Sequence, residues 1–355
     1  MADLFENPLG TNGFAFVEYT SPESGALEGL LENLGFAATH KHKSRDVVLY
    51  QQGKIHFFVN RESEGPAADF RKVHGPSACS MGFKVHNMGE AYEGALKRGA
   101  TAVKDPSWAT EAGIPAIDAI GGAYLYLLDD EAEERLLSQF EAIPGAKADA
   151  KDAGLTYIDH LTHNLHRGNM DNWGSYYEDI FNFREIRYFD IEGKLTGLLS
   201  RAMTSPCGKI RIPLNESRDD KSQIEEFLQK YNGEGIQHIA LGTDDIFKTV
   251  DTMKANGIVF QDTPDTYYEK IDERVPGHGE DIEAMKARRI LVDGAPTEDQ
   301  GLLLQIFTNE VIGPVFFEII QRKGNEGFGE GNFQALFESI ELDQIRRGVL
   351  KEEEA

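Results

Sequence analysis

Residues Thr156–Phe183 read TYIDHLTHNLHRGNMDNWGSYYEDIFNF. The opening residues alternate as a strand, with Tyr157, Asp159, Leu161 and His163 on one face and Ile158, His160, Thr162 and Asn164 on the other. A polar turn and a helical apolar pattern follow. The same order of strand, turn and amphipathic helix returns three more times. It occurs as NGFAFVEYTSPESGALEGLLENLGF from Asn12, SACSMGFKVHNMGEAYEGALKRGA from Ser77 and GIQHIALGTDDIFKTVDTMKANGI from Gly235. Apolar residues three and four apart, such as Ile246, Val250 and Met253, mark the helix faces, and Gly35, Gly99 and Gly257 stand where helices end.

Between these helices lie apolar runs of strand length: DVVLYQQGKIHFFVN, GAYLYLLD, LLSRAMTSPCGKIRIPLN, GLLLQIFT and VFFEIIQR. Each copy therefore reads as a βαβββ module, and four copies pair into two halves of an α+β protein. The small-residue stretch EAIPGAKADAKDAG, around residues 142–154, is the expected seam. It divides the chain into residues 1–150 and 151–355.

The 355 residues exceed one ordinary core, in keeping with two domains. A composition 40% hydrophobic and 27% charged is that of a globular protein. No apolar run reaches the roughly 18 residues of a membrane span. MADLFENPLG has no basic or apolar stretch of a secretory signal, and Cys79 and Cys207 suggest no disulfide framework, so a cytoplasmic setting is expected. A net charge of −24 argues against a nucleic-acid partner. It also means that an anionic substrate would need a local cation, which a bound metal supplies.

Laying the copies over one another locates the chemistry. His160 falls opposite Phe16, and His238 falls opposite Ser80. Glu318, between Phe317 and Ile319, falls where the second copy carries Tyr and Leu. One scaffold position thus holds ligand types in the second half and non-ligands in the first. A carboxylate inside an apolar strand is costly unless it is paired or coordinates a metal. Two imidazoles and a carboxylate describe the facial triad of non-haem Fe(II) oxygenases, though zinc accepts the same set. The alternative is a buried salt bridge from Glu318 to Arg288 or Arg289. His163 faces away from His160 in an ideal strand and reads as a surface or outer-layer residue. His40, His42, His56, His74, His86 and His278 form no ligand spacing. GNEGFGEGNF lacks the Lys and the strand–helix context of a phosphate loop.

YIDHLTHN, IPLNE, GIQHIAL, LLLQIFT, FFEIIQR and GFGEGNFQALFESIE occur in this order, and on them the chain resembles the 4-hydroxyphenylpyruvate dioxygenase family. The likeness runs over essentially the whole chain and is strongest from Thr156 to about Ile340. It implies the vicinal-oxygen-chelate, or glyoxalase-like, fold, with four βαβββ modules in two half-open barrels. Residues 1–150 would be a non-catalytic pair of modules. Residues 151–355 would be the catalytic pair, with a closing C-terminal helix. The resemblance implies His160, His238 and Glu318 as Fe(II) ligands, and Ser200, Asn215, Gln237 and Gln305 as polar groups of the catalytic pocket. Phe307, Phe316, Phe328, Asn332, Phe333, Leu336 and Phe337 would surround the substrate ring.

The reaction implied joins 4-hydroxyphenylpyruvate and dioxygen to give homogentisate and carbon dioxide, in tyrosine and phenylalanine catabolism. The 2-oxo acid would chelate the metal, so no separate 2-oxoglutarate is needed. Alternatives are 4-hydroxymandelate synthase and a metal-free binding protein of the same fold. A homo-oligomer, dimer or tetramer, is expected, with no membrane partner. Asn332 reads as the N-cap of a helix whose Phe333, Leu336, Phe337 and Ile340 face one way, a lid over the metal. Family members commonly place Pro after the NE of IPLNE; Ser217 stands here and is expected to loosen that turn.

Overall fold

The apolar stripes read from the sequence are buried. Leu27 and Leu31 lie inward on the helix Ala26–Asn33, and Ala91 and Ala95 do so on Met88–Lys97. Tyr177, Ile180 and Phe181 are buried on Met170–Phe181, as are Val250 and Met253 on Ile246–Ala255. Gly35, Gly99 and Gly257 end three of these helices with φ of 96°, 100° and 96°. In this left-handed region a side chain is costly, which is why glycine serves there. The third helix ends on Asn182 instead, at φ 57°.

The computed structural model describes residues 2–147, 151–192, 197–220, 222–336 and 346. The first half contributes β1 (Thr11–Thr20), β2 (Ala37–His42), β3 (Val47–Gln52), β4 (Ile55–Asn60), β5 (Ser77–Val85), β6 (Ala116–Asp118), β7 (Tyr124–Leu128) and β8 (Phe140–Ala142). The second contributes β9 (Leu155–Leu165), β10 (Arg184–Glu192), β11 (Gly197–Thr204), β12 (Arg211–Ser217), β13 (Gly235–Thr243), β14 (Leu291–Gly294), β15 (Leu302–Phe307) and β16 (Phe316–Lys323). Each set forms one eight-stranded mixed sheet, ordered β6-β7-β5-β1-β4-β3-β2-β8 and β10-β11-β12-β9-β13-β16-β15-β14.

Three copies are βαβββ modules as expected. The second departs: only β6 and β7 return to its own side, and β8 pairs with β2 of the first copy. At the centre of each sheet the first strands of two modules lie antiparallel, β1 with β5 and β9 with β13. The last strand of a module runs parallel to its first, as β16 does with β13. This arrangement brings residues far apart in sequence to one place.

The two sheets share an apolar core. Phe317 of β16 meets Tyr19 and Phe57 of the first sheet, with ring centres 6.3 and 6.2 Å apart. The seam is strapped by Gln52, whose buried Oε1 accepts from the backbone N–H of Ala153 at 2.7 Å and of Leu155 at 3.3 Å. Ser217 does not loosen its turn. Its hydroxyl donates to the Asp219 carbonyl at 2.5 Å and accepts from Asp219 N–H and the Ser222 hydroxyl, substituting side-chain bonds for the rigidity of a proline ring.

One ion-pair cluster in the first half sets an acid response. Burial alone would raise the Glu133 pKa, but His56 and Lys84 outweigh it and hold that carboxyl at about 2. A depressed carboxylate stabilises the fold above its unfolded value and loses that contribution as pH falls toward the folded one. Screening by solvent at this partly exposed pair discounts the full shift, so Glu133→Gln is expected to cost about 1 kcal/mol near pH 7, with the deficit shrinking between about pH 5 and 2. Urea denaturation of both proteins at pH 7 and pH 3 measures the change in the gap.

Candidate metal centre

The pairing of β9, β13 and β16 makes Ala240 a common neighbour: His160 lies opposite it on one side and Glu318 on the other. His238 precedes it by one inward position. His160 Nε2 stands 3.0 Å from Glu318 Oε2, and His238 Nε2 stands 3.5 Å from the same oxygen. One ligand-type atom from each residue lies within 4.8 Å of the others, and all three side chains are buried. Arg288 pairs with Asp251, and Arg289 with Asp262 and Asp265, so neither arginine neutralises Glu318.

The outward nitrogens are capped by the residues just before each histidine. Asp159 Oδ1 accepts from His160 Nδ1 at 2.8 Å, and Gln237 Oε1 accepts from His238 Nδ1 at 2.9 Å. With the protons on Nδ1, both Nε2 lone pairs turn toward Glu318 Oε2, and that of His238 also has the Thr162 hydroxyl 2.9 Å away. Two lone pairs and a carboxylate oxygen facing one another in a buried site call for a cation. Glu318 Oε1, the other oxygen, accepts from Gln305 Nε2 at 3.2 Å. The donor set thus fits a metal ion.

Strict alternation put Asp159 on the face away from His160, and the structure corrects this. The register steps from Ala240–His160 to Leu241–Ile158, which leaves Asp159 as the extra residue of a β-bulge. It likewise steps from Ile236–His163 to His238–Thr162, which leaves Gln237 as another. A bulge re-aims a side chain, and here it turns both caps toward their histidines. The first sheet keeps the same irregularities at Ala15 and Cys79, beside Phe16 and Ser80.

Electrostatics around the triad oppose burial. Burial would lower the His160 pKa, but Glu318 and Asp159 outweigh it and raise it. For His238 burial prevails and the pKa falls. Burial would raise Glu318, yet the two imidazoles bring it below the ordinary carboxylate value. Asp159 is held well below it against burial by Arg322, His160 and Arg211. Arg322 grips Asp159 with both arms of its guanidinium, at 2.7 and 2.8 Å.

The expected pocket residues divide into groups. Phe316 stacks on His238 with ring centres 4.9 Å apart, Phe307 meets the same ring edge-on at 6.2 Å, and Phe328 meets His160 at 5.3 Å. Gln237 and Gln305 touch the triad directly, and Asn332 donates to Gln305 Oε1 at 3.1 Å. Ser200 and Asn215 lie opposite each other on β11 and β12, next to Asn164 on β9, with no hydrogen bond to the triad among the described residues. Phe333 is 38% exposed, Leu336 packs on the core, and Phe337 lies outside the described residues. Asn332 is no N-cap. The helix already begins at Glu330, and the Asn332 side chain is buried within its first turn. His163 is not at the surface either. It is fully buried against Tyr177, whose hydroxyl lies 2.8 Å from its Nε2, and burial pulls its pKa down to about 3.

In the first half the equivalent place holds a different solution. Glu18, which stands where Thr162 does, is buried but accepts from Asn60 at 2.8 Å, Trp108 at 2.7 Å and Ser80 at 2.5 Å. A carboxylate satisfied by neutral donors needs no cation.

Gly329 exposes how tightly the site is packed. Its φ is +78°, and a Cβ there would lie 1.6 Å from Gln305 Oε1. Gly329→Ala is expected to push Gln305 off Glu318 and to lower metal affinity about 10–100-fold, the cost of losing an outer partner. A chelator-competition titration reads this directly.

Comparison with known proteins identifies the family. Residues 5–141 match the family model for the N-terminal part of hydroxyphenylpyruvate dioxygenase, and residues 157–271 match that of the glyoxalase/bleomycin resistance protein/dioxygenase superfamily. The chain is 58% identical to 4-hydroxyphenylpyruvate dioxygenase of Pseudomonas aeruginosa, over 97% of each chain. It is 59% identical to hemolysin VllY of Vibrio vulnificus, over 97% of this chain and 98% of that one. Among solved structures, a xylose isomerase-like TIM barrel/4-hydroxyphenylpyruvate dioxygenase fusion protein matches with a TM-score of 0.79 and 30% identity, covering 95% of this chain and 54% of the fusion.

Proposed function

As the chain belongs to the 4-hydroxyphenylpyruvate dioxygenase family, we infer that it converts 4-hydroxyphenylpyruvate and dioxygen to homogentisate and carbon dioxide. The reaction is a decarboxylation, a ring hydroxylation and a side-chain migration, a step of tyrosine and phenylalanine breakdown. The observation that carries this reading is the convergence of two capped histidines on one oxygen of Glu318. His160, His238 and Glu318 would hold Fe(II), which when bound supplies a cation to chelate the substrate's 2-oxo acid and the redox capacity to use dioxygen.

The chain's own residues do the rest. Asp159 and Gln237 keep both histidines in the tautomer whose Nε2 can bind metal, and Gln305 turns Glu318 so that Oε2 faces them. Phe307, Phe316 and Phe328 wall the site with rings, which excludes water and suits an aromatic substrate. Ser200 and Asn215 supply neutral polar groups for the substrate, and Phe333 and Leu336 belong to the helix that closes the site, while Phe337, expected beside them, lies outside the described residues. Residues 1–150 serve as scaffold and residues 151–355 carry the chemistry. The metal also answers the charge problem, since it offers an anion one local cation on a chain of net charge −24. A cytoplasmic dimer or tetramer completes the reading, and light scattering measures the assembly.

Oxygen uptake by the Fe(II)-loaded protein with 4-hydroxyphenylpyruvate is the test. One homogentisate per dioxygen consumed is expected. Hydroxymandelate as product would move the chain to the sister activity, and no uptake with iron bound would overturn the reading.

A further inference from the structure

Two hydrogen-bond routes run from the triad to the same glycine-rich segment. On the first, His160 Nδ1 donates to Asp159, which Arg322 grips through Nε and Nη2. The remaining arm of Arg322, Nη1, donates to the backbone carbonyls of Asn325 at 3.0 Å and Gly327 at 2.7 Å. The Phe328 ring then packs between Arg322 and His160, with the guanidinium 5.8 Å from its centre.

On the second route, Glu318 Oε1 accepts from Gln305, whose own oxygen accepts from Asn332 Nδ2. Asn332 Oδ1 in turn accepts from the Tyr267 hydroxyl at 2.5 Å, and that hydroxyl accepts from Arg274 Nη2 at 2.7 Å and from Val292 N–H at 3.0 Å. Gly331 N–H donates to Asp293 beside them at 2.9 Å. Tyr267 is 2% exposed and Asn332 2%, so neither can exchange its partner for water without the segment moving.

We propose that residues 325–336 and the three ligands form one coupled unit, in which Arg322 and Tyr267 are positioning residues that set His160 and Glu318 by holding this segment. The inference rests on the metal reading above and deepens it. Glu318 is one intermediary from the segment, through Gln305, and His160 is two, through Asp159 and Arg322, so displacement of the segment loosens two ligands on two strands at once. Coupling is reciprocal: metal binding must order the segment by the same free energy with which an ordered segment favours metal. Tyr267 lies in the connection before β14 and touches no ligand, yet it is the fixed end of the second route.

The experiment pairs hydrogen–deuterium exchange of peptides covering residues 325–336 with Zn²⁺ affinity by chelator competition and the visible spectrum of the Co²⁺-loaded protein. In the full-length native protein, Zn²⁺ is expected to slow exchange in this segment. Tyr267→Phe, which deletes one hydroxyl, is expected to speed exchange there without metal, lower Zn²⁺ affinity about 10-fold and shift the Co²⁺ bands. Arg322→Lys keeps a positive charge beside Asp159 but cannot fork to Asn325 and Gly327. It is expected to do the same through His160, and it decides the matter should Tyr267→Phe not fold. Faster exchange with native Zn²⁺ affinity and native Co²⁺ bands would overturn the coupling and leave the metal site standing. Unchanged exchange in Tyr267→Phe would overturn the anchoring role. A native protein that binds none of these ions removes the metal reading and the coupling with it.

Discussion

Glu318→Ala is expected to remove metal binding and turnover together. The side chain is 2% exposed, and its two oxygens divide their work, one toward His160 and His238 and the other toward Gln305. Truncation leaves two neutral imidazoles and no anion facing a divalent cation. Affinity should therefore fall by more than the roughly 10–100-fold that an outer-shell partner is worth. Glu318→Gln separates charge from packing, because it keeps nearly the same volume. It should lose metal about as fully as alanine if the carboxylate charge is what matters. Metal content after dialysis and oxygen uptake with substrate are the two readings. Native metal content in either variant would show that the ion sits elsewhere.

The second large effect is on stability. Arg322→Met breaks a two-armed pair with Asp159, which is fully buried, and leaves that carboxylate with His160 and an Arg211 contact of 3.7 Å. Breaking one side of a buried ion pair costs about 3–5 kcal/mol, most of it the penalty of an uncompensated charge. The sign with pH follows from the Asp159 shift. Its carboxyl is held well below the ordinary value, so the pair's contribution is complete above about pH 4 and is lost as pH falls further. The deficit of Arg322→Met should thus be full at pH 7 and fade in acid. Adding Asp159→Asn to Arg322→Met should recover part of it, because the stranded charge is gone. Urea denaturation of the two single variants and the double closes this cycle. A single-variant cost no larger than that of a surface ion pair would mean the site tolerates the bare carboxylate.

Both predictions depend on residues that the sequence treated unequally. Glu318 was legible because a carboxylate between FF and II cannot be a neutral strand position, and its partners were legible because a repeat exposes what one copy has and another lacks. The alignment of His160 with Phe16 and His238 with Ser80 matches the strand registers of both sheets. Gln305 stood out for the same reason, as an amide inside an apolar run, and it is indeed bonded to Glu318. Asp159 and Arg322 gave no such sign. Alternation placed Asp159 on the wrong face, since a bulge changes the facing of one residue without leaving a pattern in composition.

Periodicity, helix-end glycines and the fourfold repeat are local or pairwise properties of the chain, and by themselves they determined the α+β class, the module pattern and the three ligand-type residues. The tertiary structure alone decided where β8 pairs, how Gln52 straps the seam and which side of β9 Asp159 faces. It alone joined Tyr267 to Glu318 through Asn332 and Gln305, four residues from separate stretches of chain. The physical reason is that such bonds depend on strand register and on the close approach of distant segments. A polar residue in a loop or an amide in a helix looks the same in sequence whether it faces water or anchors a site.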